Sequence, residues 1–311
     1  MRPIIQTSIS LKNHEAINMR YQLIRLILRL LAFLPLPANH ALGTMIGLCL
    51  YWLPTKVKHI ARINLSLCLP DMSEQQRKTL LRQSLIEMGK SFTELGPLWL
   101  WKPEKLMRHI KGVENEACLL EALAKQQGLI ILTPHLGCWE LTSLHYASSR
   151  TVTCLYRPPK IQELEAVLNQ ARQRTGANLV PTNTTGVKAL FAALSRKEAV
   201  GILPDQDAGN GGVFVPFFGV SANTVKLIPR LINKTHAQVL MVYARRLTRG
   251  RGYVIHFLKP EDDIYSSDLE VSASAMNRAV ETCIRENISQ YQWGYKRFKR
   301  RQEGETSYYD V

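Results

Sequence analysis

The sequence predicts an α/β fold: a mixed, largely parallel central sheet covered by helices, with an N-terminal apolar helical membrane anchor. Three observations predict it. Short apolar runs bounded by Gly and Pro alternate with helix-length stretches from residue 128 onward. Residues 56–127 read as helices throughout. Two apolar stretches, Tyr21–Leu34 and Ala38–Leu53, precede them and are divided by Pro35 and Pro37. On this reading residues 1–54 carry the anchor and 55–311 form the α/β domain.

Taken in order, residues 1–20 are mixed and polar and do not resemble a signal peptide. Arg25 and Arg29 sit one helical turn apart in the first apolar stretch, as on an amphipathic helix. The second stretch is shorter than the ~20 residues that cross a bilayer upright. The pair therefore reads as an anchor that lies in the interface or spans marginally. Lys56, Lys58, His59 and Arg62 follow it and favour an anionic cytoplasmic surface. Pro70-Asp71-Met72-Ser73-Glu74 is a stop followed by an N-cap, and the run through Glu94 has helical periodicity. Leu98-Trp99-Leu100-Trp101 is an apolar patch that suits a core or a membrane edge. Strands are predicted at 128–133, 151–156, 178–181, 199–203, 238–244 and 252–258. Helices are predicted at 140–147, 162–175, 186–196, 225–234 and 272–289.

Composition narrows the partners. The chain holds 40 Lys and Arg against 25 Asp and Glu, a net charge of +15. Such an excess points to a polyanion: nucleic acid, an anionic membrane face, a phosphorylated lipid or an acidic protein. The apolar fraction of 46% is ordinary for a globular protein, so disorder is not the default. The six cysteines form no C-x-x-C pair and sit mostly in apolar runs, as buried free thiols in a reducing compartment do. Lys296-Arg-Phe-Lys-Arg-Arg301 is a basic run with aromatics before and within it, suited to a nucleic acid, a membrane interface or plain solvation.

The densest constellation is Thr133-Pro134-His135-Leu136-Gly137-Cys138-Trp139-Glu140, where a buried strand gives way to a helix. Residues five apart on one helix point about 140° away from each other. His135 and Glu140 can meet only if His135 lies in the loop and the helix starts near Gly137. A carboxylate on one imidazole nitrogen would then leave the other free to take a proton from a hydroxyl. Helix-start amides nearby would be available to an oxyanion. Pro204-Asp205-Gln206-Asp207 follows another apolar strand, and its two carboxylates admit a D-x-D metal reading. Arg157 follows a predicted strand, and Arg172 and Arg174 lie on a helix where they can face phosphate. No P-loop, G-x-G-x-x-G, G-x-S-x-G or H-E-x-x-H pattern occurs.

These residues resemble a known family. His135 to Glu140 is similar to the H-x4-[DE] motif of glycerolipid acyltransferases. More narrowly, the chain resembles the bacterial late lipid A acyltransferases, the lauroyl and myristoyl transferases that act on Kdo-modified lipid A. The matching pieces are Arg62–Pro70, Leu132–Glu140, Tyr156-Arg157-Pro158, Ala171–Gly176, Pro204–Asp207, Val213–Gly219 and Gln290–Lys299. Gly294-Tyr295 and Asn223-Thr224-Val225 depart from the family's usual residues.

The resemblance implies an acyl–acyl carrier protein as donor and a hydroxyl of a 3-hydroxyacyl chain on a lipid A precursor as acceptor. His135 is then the general base, held by Glu140. Arg157 becomes an anion-binding residue beside the site, and Asp205 orients a substrate group or an arginine. Arg172 and Arg174 complete the expected binding set. That reaction requires no metal, no cofactor and no covalent enzyme intermediate. The expected place is the bacterial inner membrane, with the catalytic domain on the cytoplasmic side and no nucleic acid among the partners. Two other readings are an acyltransferase with a different lipid acceptor and a non-catalytic protein that binds membrane or nucleic acid through its basic surface.

Overall fold

A computed structural model describes residues 19, 21–157 and 163–310. The described residues begin with a helix over 21–33 (α1) and continue through α2 (Leu36–Trp52), α3 (Lys56–Cys68), α4 (Glu74–Thr93), α5 (Leu95–Leu100) and α6 (Pro103–Met107). Then come β1 (Ile110–Glu114), α7 (Glu116–Ala124), β2 (Leu129–Leu132), α8 (Trp139–Ala147), β3 (Val152–Tyr156) and α9 (Glu163–Gln173). After β4 (Asn178–Pro181), α10 (Thr184–Ser195) and β5 (Ala199–Ile202), a hairpin of β6 (Gly212–Phe217) and β7 (Val220–Val225) intervenes. The chain ends with α11 (Leu227–Thr235), β8 (Gln238–Arg246), β9 (Tyr253–Leu258) and α12 (Leu269–Glu286).

The main sheet has seven strands in the order β1-β9-β8-β2-β5-β3-β4. Every neighbouring pair is parallel except β8 with β9. The expected mixed, largely parallel sheet is therefore observed. Alternation along the central strands divides the core in two. Ile130, Leu132, Val200, Ile202, Val239 and Met241 face a cluster built from α3, α4, α10, α11 and α12. Leu129, Ile131, Ala199, Leu240, Val242 and Ala244 face a second cluster beneath α6, α7 and α8. Both faces are thus covered, which is why these strands read as unbroken apolar runs.

The N-terminal anchor is a correction. Among the described residues no helix is long and apolar enough to cross a membrane. The reason is local. Pro35 separates α1 from α2, the basic Arg25 and Arg29 interrupt the first helix, and α2 at 17 residues falls short of the ~20 required. Moreover, α2 is committed to the protein: Leu36, Asn39, His40, Gly43 and Gly47 are buried. Gly43 and Gly47 let α2 lie directly on α4, since a Cβ at Gly47 would come within 2.3 Å of Ile86 Cα. Asn39 Nδ2 donates to Leu31 O at 3.1 Å and to Thr93 O at 2.9 Å, tying α1, α2 and α4 together. The expected inner-membrane residence with a cytoplasmic catalytic face is corrected on the same ground: among the described residues no helix is long and apolar enough to cross a membrane.

Candidate active site

The C-terminal ends of β2, β5 and β3 lie side by side, so the loops that follow them share one edge of the sheet. Ligands in open α/β sheets gather at such an edge. After β2 the chain runs through Thr133–Cys138 before α8 begins at Trp139. Backbone bonds pin this loop on several sides. Gln292 N donates to His135 O at 3.0 Å, Gly137 N to Gln290 O at 3.0 Å and Cys138 N to Ala244 O at 2.8 Å. Gly137 has φ +61°, and a Cβ there would lie 2.1 Å from Ala244 O, so only glycine fits.

His135 stands in this loop with its side chain 12% exposed. Its partner is Asp205, which follows β5 and is itself 1% exposed. The ring Nδ1 lies 2.8 Å from Asp205 Oδ1, and the backbone N–H of His135 donates to Oδ2 at 2.9 Å. One carboxylate thus holds both the ring and the main chain. Burial alone would raise the Asp205 carboxyl; the His135 imidazole and its two hydrogen bonds outweigh that and hold it below the usual carboxylate range. An ionised Asp205 keeps the proton on Nδ1 and leaves the Nε2 lone pair open. Gln206 Nε2 lies 3.1 Å from that Nε2.

Glu140 does not meet His135, which corrects the expected pairing. Glu140 is in the first turn of α8 and points sideways. Its Oε1 accepts from Arg172 Nη2 at 2.8 Å and its Oε2 from Trp99 Nε1 at 2.9 Å. Burial alone would lower the Arg172 guanidinium; the Glu140 carboxylate beside it more than compensates and keeps it firmly charged. Arg172 also lies 6.0 Å from the centre of the Trp139 ring, whose own centre is 5.0 Å from that of His135. Glu140, Arg172, Trp139 and His135 are therefore neighbours, but in two separate polar pairs. A buried His–Glu pair does occur elsewhere: His40 Nε2 lies 2.8 Å from Glu94 Oε1, away from the cavity described next.

A cavity of about 540 Å³ opens beside His135. Its polar lining includes His135, Arg157, Arg172, Gln206 and Tyr295, and its apolar lining includes Ile131, Val152, Leu155, Leu179, Val187 and Ile202. Such a mixture suits a long apolar chain with a reactive polar end. Arg157 is exposed at the end of β3 and reaches the same cavity. Arg174 does not; its guanidinium donates to Leu98 O behind the site. Asp207 turns away from Asp205. It accepts from Asn223 Nδ2 at 2.8 Å and pairs with Lys299 and Arg300 of the basic tail at 3.2 and 3.3 Å. Among the described residues no group of three or more His, Cys, Asp or Glu side chains is placed to hold a metal ion.

The expected oxyanion amides are also partly corrected. Leu136, Gly137 and Cys138 N–H donate to Pro134, Gln290 and Ala244 carbonyls and are spent on the loop itself. Among the described residues two cations reach the cavity wall, Arg157 and Arg172, and of these Arg172 is held in place by a carboxylate, that of Glu140. Sequence reasoning missed Gln206 and Trp99 as site residues. Gln206 sits between two aspartates whose charge is the stronger sequence signal, and Trp99 falls in an apolar patch that carries no sign of a polar partner.

Comparison with known proteins identifies the family. Residues 12–300 match the family described as bacterial lipid A biosynthesis acyltransferase. The chain is 30% identical to a lipid A biosynthesis lauroyltransferase of Escherichia coli K12, over 91% of this chain and 92% of that protein. It is 31% identical to a lipid A biosynthesis palmitoleoyltransferase of the same organism, over 89% and 90%. A lipid A biosynthesis myristoyltransferase from that strain is 27% identical, over 80% of this chain and 77% of its own length. The match spans both the His135 loop and the strands that carry Asp205 and Arg157, and the chain is an acyltransferase belonging to the bacterial lipid A biosynthesis acyltransferase family.

Proposed function

We propose that the protein moves an acyl chain from an acyl–acyl carrier protein thioester to a hydroxyl of a 3-hydroxyacyl chain on a lipid A precursor, with His135 as general base. The single observation that carries this reading is the His135–Asp205 pair at 2.8 Å, with Nε2 directed to a half-apolar cavity. Gln206 beside Nε2 occupies the position of a hydroxyl donor, which supports Nε2 as the working nitrogen. The acceptor hydroxyl displaces that amide and gives its proton to Nε2 while its oxygen attacks the thioester carbon. The resulting oxyanion faces Arg172, whose guanidinium is fixed by Glu140. Collapse breaks the carbon–sulfur bond, and the proton on Nε2 passes to the departing thiolate. Arg157, at the exposed side of the cavity, is placed to meet an anionic group of either substrate. Acyl length is not carried over from the relatives, whose names give three different chains.

The test is turnover of a carrier-protein thioester with a lipid A precursor. His135→Ala is expected to lose roughly 10²–10⁴-fold in rate, the usual worth of a general base. Unchanged turnover in a folded His135→Ala protein would remove the proposed base.

A further inference from the structure

A second cavity lies outside the catalytic one, at the start of α3. It measures about 580 Å³, and its lining includes Lys56, Lys58, His59, Arg62, Lys296 and Tyr309 but no acidic residue. Among the described residues the contacts of these cations are with neutral or aromatic groups. Arg62 Nη2 lies 3.3 Å from His59 Nδ1, Lys58 Nζ lies 5.1 Å from the Tyr51 ring centre, and Lys296 Nζ lies 5.3 Å from the Tyr309 ring centre. Other basic side chains of the C-terminal part are paired: Arg278 with Glu261 and Asp263, Lys299 and Arg300 with Asp207.

The charge pattern works against α3 as a helix on its own. A helix N-terminus favours carboxylates, yet the first turn of α3 has none and carries Lys56 and Lys58 instead. Like charges gathered in a concavity repel one another, and an anion placed among them relieves both penalties. The wall is rigid as well. Buried Asn64 donates to Trp293 O at 2.6 Å and Tyr295 O at 2.7 Å, and Tyr309 Oη donates to Asn64 Oδ1 at 2.6 Å. Tyr295 lines the catalytic cavity and Lys296 lines this one, so consecutive residues divide the two.

We propose that this groove is a second anion site that takes a phosphate monoester carried by the acceptor lipid, holding the acceptor while its hydroxyl reaches His135. This rests on the acyltransferase reading above. A phosphate group is a compact dianion that can accept from several lysine and arginine N–H groups together. An acidic protein surface spreads its carboxylates over a broad face and does not require a concave pocket of this size.

The test separates the groove from the chemistry. Binding of glucosamine 1-phosphate and of inorganic phosphate is followed by ³¹P NMR in the wild type, in His135→Ala and in the triple variant Lys58→Gln/Arg62→Gln/Lys296→Gln. Wild type and His135→Ala are expected to bind the sugar phosphate equally, and the triple variant at least tenfold more weakly with an unchanged melting temperature. In turnover, the triple variant should raise KM for the phosphorylated acceptor at least tenfold and leave KM for the phosphatase-treated acceptor as it was. Equal binding of the sugar phosphate by all three proteins overturns the proposal, whether or not the wild type transfers acyl chains. Binding of inorganic phosphate without the sugar phosphate also overturns it, as does a KM increase confined to the carrier thioester. That last result would assign the groove to the acidic donor protein. Probe binding as expected, in a wild type that transfers no acyl chain, would sustain the groove and sink the reaction.

Discussion

Two N–H groups of His135, one on the ring and one on the main chain, converge on the two oxygens of Asp205. That geometry makes a sharp prediction for Asp205→Asn. An amide offers one acceptor oxygen and one donor NH2. It can satisfy only one of the two N–H groups and opposes the other, unless the imidazole moves its proton to Nε2. With the proton there, the nitrogen facing the cavity has no lone pair for the acceptor. Asp205→Asn is therefore expected to lose roughly 10²–10⁴-fold in rate, comparable to removing the base itself. The double variant His135→Ala/Asp205→Asn should be about as slow as His135→Ala alone, as groups acting through one another are. Losses that multiply, in proteins with intact melts, would show that Asp205 acts independently of His135. His135 and Glu140 were legible in the sequence because Pro134 and Gly137 mark a loop between a strand and a helix. The partner of His135 was not, because it depends on β5 lying beside β2, a tertiary fact separated by 70 residues of chain.

At the scale of elements, β5 forms part of the cavity beside His135 through Gly201, which has no side chain to fill it. A Cβ there would lie 2.9 Å from Cys154 Sγ on β3 and 3.8 Å from Val152 Cγ2. Gly201→Ala should therefore shrink the apolar end of the cavity and shift preference toward shorter acyl chains. Competition between carrier thioesters of different length reads this directly; an unchanged preference in a folded variant would place the chain elsewhere. A second element-level feature ties α4 to β8 and the active-site loop. Arg246 Nη2 donates to Glu94 Oε2 at 2.7 Å and to Gly137 O at 2.9 Å, and Tyr253 Oη donates to Glu94 Oε1 at 3.0 Å. Burial alone would raise the Glu94 carboxyl; Arg246 and His40 overcome it and lower it from 4.5 to about 2. A carboxyl lowered on folding stabilises the protein above its unfolded value, and that contribution is lost as pH falls through the folded one. Stability should thus decline between about pH 4.5 and about pH 2. Arg246→Met, which leaves Glu94 buried without its cation, should cost roughly 3–5 kcal/mol at neutral pH. It should also flatten the acid limb in urea melts across that window. An Arg246→Met protein as stable as the wild type would contradict the network. Most strands were legible as apolar runs, whereas β1 and the β6–β7 hairpin were not. The strand β1 is half exposed and carries Lys111 and Glu114, and the hairpin turns on Phe218 and Gly219 at φ +49° and +76°. A phenylalanine in that region gives no turn signal, and Val225, which the sequence places at the start of the following helix, ends β7.

The whole molecule carries its +15 charge unevenly. The acidic side chains at and around the cavity are held by fixed partners, Asp205 by His135, Glu140 by Arg172 and Asp207 by Lys299 and Arg300. At the surface lie the basic groove beside α3 and the exposed Arg157, which lines the cavity beside His135 together with Tyr295. A field of this sign gathers anionic partners and raises their encounter rate with a neighbouring cleft. It acts only over the screening length, about 10 Å at 0.1 M salt. The expected outcome is that kcat/KM for an acidic carrier thioester falls steadily as salt rises from about 0.05 to about 0.5 M, with kcat at saturation far less affected. The readout is initial rate at subsaturating donor, with detergent and acceptor fixed and a thermal melt at each salt concentration. Loss of rate that follows loss of fold would have a different cause, and a flat kcat/KM profile would mean that the net charge does not steer the donor. The groove variants sharpen the comparison. If the groove serves the acceptor's phosphate, the triple variant should keep the donor's salt slope and reduce the acceptor's. The same substitutions would flatten the donor's slope if the carrier protein docked there, so the two slopes measured on one variant decide which substrate each part of the positive surface receives.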